Sequence, residues 1–210
     1  MSSPASRLDA FADAAFAFAV SLMVVGGSGT APDYASLVSV MQSIPSFFIG
    51  FAIIAMFWFA HVRWRALRGE GDWLSVLLTL ALILAVLVYI HPLRAMSASF
   101  VAFLSGNGDH YGSELPKMFA IYGAGFVVMA LLTAALYRDA LRNANASATV
   151  QREAMGQSYI WLILAATGMV SVIMTQLKPI AYFAPFAYAS LPVTIGLFAS
   201  QWRWTADEAE

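Results

Sequence analysis

Apolar positions along this chain gather in long runs divided by short polar breaks, the pattern of membrane helices rather than of amphipathic surface helices. Six runs come near the ~20 residues that a bilayer core requires, at about 8–26, 34–65, 73–104, 116–137, 158–177 and 182–202. The first stops at Gly26-Gly27-Ser28-Gly29, the third is followed by the turn-rich SGNGDHYGSE, and Lys178-Pro179 makes a very short hairpin between the last two. The second run is longer than a bilayer needs. Pro45 near its start predicts a bend, or a division into a short leading helix and the span proper. His91-Pro92 predicts an interruption of the third, with an apolar continuation to Leu104. The segment RDALRNANASATVQREAMGQ reads as a polar, helix-compatible connector. The expected fold is all-α, a single polytopic domain over residues 1–210 with six transmembrane helices.

Composition agrees. At 60% hydrophobic and 11% charged residues, with a mean hydropathy of +0.73, the chain has more apolar surface than a soluble domain could hide. Its partner is a lipid bilayer. A net charge of −1 and the lack of a basic run give nothing for nucleic acid to bind. With no cysteine, disulfides, thiolate metal sites, iron–sulfur clusters and cysteine nucleophiles are excluded. Asp9 and Asp13 interrupt what would be the early apolar part of a signal peptide, so the first helix is read as retained. One side of the expected bundle collects Arg7, Arg63, Arg65, Arg68, Arg138, Arg142, Arg152 and Arg203, and the other has Arg94, Lys117 and Lys178. By the positive-inside bias both termini are expected in the cytoplasm, with the protein in the inner cell membrane. Several of the six tryptophans fall at expected span ends, as an interfacial belt requires.

The chemistry concentrates in the first helix, RLDAFADAAFAFAVSLMVV, which carries Arg7, Asp9 and Asp13 in its first turns and no charge from Phe16 to Val25. A carboxylate at that place either faces protein or water for a functional reason, or pairs with a cation in the headgroup layer. Phe11, Phe18, Leu22 and Val25 recur at steps of seven, four and three, so they share one face, with Ser21 at its edge. The remaining positions are rich in alanine, which lets membrane helices approach closely. In the second span Trp58 and His61 are three residues apart, on one face and close in depth to Arg7 and Asp13. These four side chains can satisfy one another, and a polar lock fixing the first helix is preferred to a catalytic reading, since no metal, cysteine or nucleophile joins them. No cofactor or enzymatic activity is expected. His61, His91 and His110 lack ligand spacing, Gly123-Ala124-Gly125 lies inside an apolar run, and no Thr-Val-Gly-Tyr-Gly filter loop occurs.

Arg7-Leu8-Asp9-Ala10-Phe11-Ala12-Asp13 resembles the R-x-x-x-F-S-D signature of the lysosomal potassium channel family (transmembrane protein 175) and its shorter bacterial relatives. Trp58 and His61 resemble the W-x-x-H element of that family's second helix, and His91-Pro92 the proline-containing end of its third. The resemblance rests on specific residues over the first three spans and on hydropathy beyond them. It departs at Ala12, where the family has serine, and at Phe18, where isoleucine or leucine is usual. The resemblance implies a homotetramer around one pore lined by the first helix. Position by position it implies a constriction at Phe18, Ser21, Leu22 and Val25, a lock of Arg7, Phe11, Asp13, Trp58 and His61, and K⁺ as the permeant ion. A narrow apolar ring closes by dewetting, and a wider one passes a partly hydrated ion. The rival readings are a non-conducting membrane scaffold and a small transporter. A transporter should show mid-membrane polar groups and broken helices, which are scarce here.

Overall fold

The computed structural model describes residues 4–25, 33–106 and 114–202, with side chains throughout except at 4, 5, 24, 25 and 103. Among them the chain is helical: α1 Pro4–Val25, α2 Tyr34–Arg68, α3 Trp73–Leu104, α4 Leu115–Ala140, α5 Ala148–Thr175, a 3₁₀ stretch Ile180–Ser190 and α6 Leu191–Gln201. The break at Gly26–Gly29, His110, Arg203 and Trp204 lie outside the described residues.

Local chemistry sets the helix ends. Asp33 caps α2 reciprocally, its carboxylate accepting from the Ser36 amide at 2.7 Å while its own amide donates to Ser36 Oγ. The Ser36 amide holds the Asp33 carboxyl below its ordinary value. α2 stops at Gly69, whose φ of 69° suits glycine and whose N–H closes on Arg65 O at 3.2 Å. Asp72 starts α3 by accepting from the amides of Leu74 and Ser75 at 3.0 and 3.2 Å.

Three sequence expectations change. α2 runs unbroken through Pro45 and α3 through Pro92, so neither proline divides its helix. Membrane helices tolerate proline because neighbouring groups take over the freed backbone. α5 begins at Ala148, where Ser147 accepts from the Val150 amide at 3.3 Å, so the second half of the expected connector is helix. The last run is a 3₁₀ stretch leading into a short α6 rather than one α-helix, since Pro179, Pro185 and Pro192 each remove a backbone donor. The Ser171 hydroxyl donates to Ala184 O at 2.8 Å and so anchors the 3₁₀ stretch to α5. Five segments among the described residues are long and apolar enough to cross a membrane, at 34–68, 73–102, 115–140, 148–175 and 180–201. α1 differs by carrying Arg7, Asp9 and Asp13.

The core is centred on α3, α4 and α5, with Phe57 of α2 between Phe126 and Trp161 at ring-centre distances of 5.9 and 5.1 Å. Tyr137 ties α4 to α2 by donating to Ala60 O at 3.0 Å. Gly123 and Gly125, read from the sequence as span residues without a phosphate-binding role, are close-packing points of α4. A Cβ on Gly125 would sit 2.5 Å from the ring of buried Tyr89, and one on Gly123 2.7 Å from Val172. Gly125→Ala is therefore expected to destabilise the protein by about 1–3 kcal/mol, the usual cost of overpacking. A thermal melt in mild detergent unchanged from wild type would show that Tyr89 moves aside freely.

Candidate functional site

Among the described residues α1 packs only on α2 and α3, so it has an inner and an outer face. Ala12, Phe16, Ala19 and Met23 are buried against the bundle. On the opposite side Ala10, Ala14, Ala17 and Ser21 recur at helical spacing, flanked by Phe11 and Phe18, and all are exposed. The alanines from Ala10 to Ala19 are thus divided: Ala12 and Ala19 sit in close helix packing, Ala10, Ala14 and Ala17 lie on the outer face, and Ala15 is half-buried between them. Phe11 and Phe18 are 54% and 57% exposed, which is too much for rings that merely pad the core. Of the expected constriction residues, Phe18 and Ser21 lie on this outer face. Leu22 has turned to the flank and is half-buried against the core. The Val25 side chain lies outside the described ones. Ser21 donates back to Ala17 O at 3.0 Å, which satisfies its proton within the helix and leaves its oxygen as an acceptor.

The inner edge of α1 is held by polar pairs on α2. Trp58 Nε1 donates to Asp13 Oδ1 at 2.9 Å. One turn nearer the chain start, Asp9 Oδ1 lies 2.8 Å from Arg65 Nε. The two helices run antiparallel, so 9 faces 65 while 13 faces 58, and the contacts form a two-rung ladder. The lock read from the sequence is accordingly redistributed. Asp13 and Trp58 meet as expected. His61 instead lies 3.3 Å from Thr79 Oγ1 of α3, between the rings of Phe16 and Trp64. Arg7 and Phe11 are exposed, and Arg7 has no ion pair among the described residues. Sequence reasoning missed Asp9, Arg65 and Thr79. The signal for the first two was present: Asp9 and Asp13 are four apart on α1, as His61 and Arg65 are on α2, so both helices show polar groups one turn apart.

Because Asp13 holds an indole N–H rather than a cation, Asp13→Ala strands no charge. The loss is that of a hydrogen bond to a charged group at a partly solvated site, about 1–2 kcal/mol. Asp13→Ala and Trp58→Phe should lower the melting temperature by similar amounts, and their double mutant by little more than either. Additive losses would mean that the two groups act separately.

A second polar cluster clamps the same end of the bundle. Asp139 at the end of α4 is fully buried. Its Oδ2 is 3.0 Å from Arg68 Nε and accepts from Ser75 Oγ at 2.6 Å, while its Oδ1 is 3.3 Å from an Arg142 guanidinium nitrogen. Arg142 also reaches Asp72 at 2.9 Å. The Ser75 amide, with Arg142 and Arg68 behind it, holds the Asp72 carboxyl below its ordinary value. Arg63 pairs with Glu153 of α5 at 2.8 Å. These contacts gather the cations of α2, α4 and the following loop at one end, as the sequence count of arginines anticipated. Among the described residues no group of three or more His, Cys, Asp or Glu could hold a metal ion.

An all-helical bundle with five membrane-length apolar segments, and one further helix fastened at its edge by polar rungs, defines a polytopic membrane protein. Residues 7–92, covering α1, α2 and most of α3, match the family model of the endosomal/lysosomal potassium channel TMEM175. A curated potassium channel of Marivirga tractuosa is 24% identical over 220 residues, covering 93% of this chain and 88% of that protein. The crystal structure of a variant of the potassium channel MtTMEM175, in complex with a nanobody–MBP fusion protein, has the same fold. It matches with a TM-score of 0.78 at 22% identity, over 93% of each chain. The chain is thus similar to TMEM175 channels in sequence over residues 7–92 and in fold over 93% of its length.

Proposed function

We propose that this chain is the subunit of a potassium-conducting or weakly selective cation channel, with a pore lined by the outer face of α1. The observation that carries this reading is that face itself: Phe11, Phe18 and Ser21 stay exposed although the inner edge of the helix is fastened to α2 and packed on α3. A homotetramer would bring four such faces together in an inner cell membrane, with the arginine-rich end and both termini in the cytoplasm. Phe18 would form a hydrophobic constriction, and Ser21 oxygens, with Leu22 at the flank and Val25 at the end of α1, would line the path beyond it. Selectivity would then come without a carbonyl loop, because weakly hydrated K⁺ loses less than Na⁺ on crossing a narrow apolar ring.

The test is flux from liposomes holding the purified protein, with its mass measured in mild detergent. Potassium flux together with a tetrameric mass supports the reading. A folded monomer without flux would make the protein a non-conducting scaffold, and flux coupled to a second solute would make it a transporter. Accessibility tagging of the termini checks the orientation, since either terminus found outside would reverse it.

A further inference from the structure

The bundle end opposite the arginine cluster carries Arg94, Lys117 and Lys178. Lys178 is exposed, and Lys117 is exposed and paired with Glu114 at 2.6 Å. Arg94 differs from both. It is half-buried and has neither ion pair nor hydrogen bond among the described residues. It also lines a crevice of about 670 Å³ between Met23 of α1, the first half of α2 and the second half of α3.

Depth identifies what this guanidinium meets. Trp73, 75% exposed, opens α3 at the arginine-rich end, as an interfacial indole would. Arg94 follows 21 residues later, about 31 Å along the axis at ~1.5 Å per residue. The hydrocarbon core is ~30 Å thick, so Arg94 reaches the far headgroup boundary, where lipid phosphates lie. A cation there needs an anion, and the described acids at this end are engaged: Asp33 caps α2 and Glu114 holds Lys117. The crevice walls complete the match. His91, one turn before Arg94, adds a second polar group. Val40, Ile44 and Phe47 form an apolar wall, and the hydroxyls of Ser43 and Ser46 donate to their own helix, leaving Arg94 as the charged donor.

We propose that this crevice is a phospholipid site, in which the Arg94 guanidinium holds the headgroup phosphate and the α2 wall takes the upper part of an acyl chain. Planar guanidinium and phosphate oxygens fit each other bidentately. The site is separate from the α1 outer face, and its occupancy does not depend on conduction.

The test is native mass spectrometry of protein extracted from vesicles of phosphatidylglycerol and phosphatidylethanolamine. Wild type and Lys117→Gln should retain bound phospholipid, whereas Arg94→Gln should lose it several-fold. Ala98→Phe, which fills the crevice and leaves Arg94 in place, should lose it as well. Should Arg94→Gln fail to fold, Ala98→Phe and the charge-keeping Arg94→Lys decide, the first losing lipid and the second keeping it. Equal retention by wild type and the crevice variants overturns the proposal. So does thermal stabilisation of lipid-free wild type by inorganic phosphate with no phospholipid retained, which would make this a free-anion site.

Discussion

Phe18→Ala is expected to raise potassium flux on the order of tenfold, equivalent to about 1.4 kcal/mol off the barrier, and to weaken discrimination against Na⁺. Phe18 is, with Phe11, the bulkiest side chain on the bare face of α1 and has no polar atom to replace a hydration shell. If four copies face one axis, these rings form the narrowest and driest level of the path. Alanine there widens the ring, and Phe18→Asn wets it without widening it as much, so asparagine should also raise flux. Ala19 lies on the buried inner face, so Ala19→Phe should act by overpacking and show first as lost stability. Flux unaffected by Phe18→Ala in a protein that stays folded and tetrameric would remove α1 from the conduction path.

Asp139→Ala should cost about 3 kcal/mol, the lower end for a broken buried pair, since it removes the nearer carboxylate of the interior Arg68 guanidinium and leaves it Asp72 at 3.7 Å. The loss reaches beyond one pair, because Asp139 also holds Ser75 at the start of α3 and Arg142 behind α4. Asp139→Asn keeps an acceptor for Ser75 and should fall between alanine and wild type. Replacing both partners, as in Asp139→Leu with Arg68→Met, should recover much of the stability, because burying an ion pair gains little over apolar packing while breaking one is expensive. Melting temperatures of the four proteins in one detergent check this. A double mutant as unstable as Asp139→Ala would place the role of Arg68 elsewhere, in its bond to Glu70 O.

Much of this protein is determined locally, and those parts could be read from the chain. A bilayer sets how long an apolar run must be, so α2, α3 and α4 were legible within a few residues of their ends. Helical period put Phe11 and Phe18 on one face, and that face is the bare one. The count of arginines named the end of the bundle where Arg63, Arg68 and Arg142 find their carboxylates. Short-range bonds at Asp33, Asp72 and Ser147 fix helix starts through residues two or three positions away, so they too belong to the sequence.

The tertiary structure decided what depends on distance between helices. Which carboxylate meets which donor follows from the antiparallel register of α1 and α2. That register gave Asp9 to Arg65 and Asp13 to Trp58, and left His61 to Thr79. The rotation of α1 about its own axis turned Leu22 to the flank while Phe18 stayed outside, because a step of four residues spans 400°, so the two side chains point about 40° apart. Asp139 stood in a stretch that read as the start of a connector. Only the approach of α2 and α3 makes it a buried counter-ion, since burial of a charge is a property of its neighbours and not of its own segment.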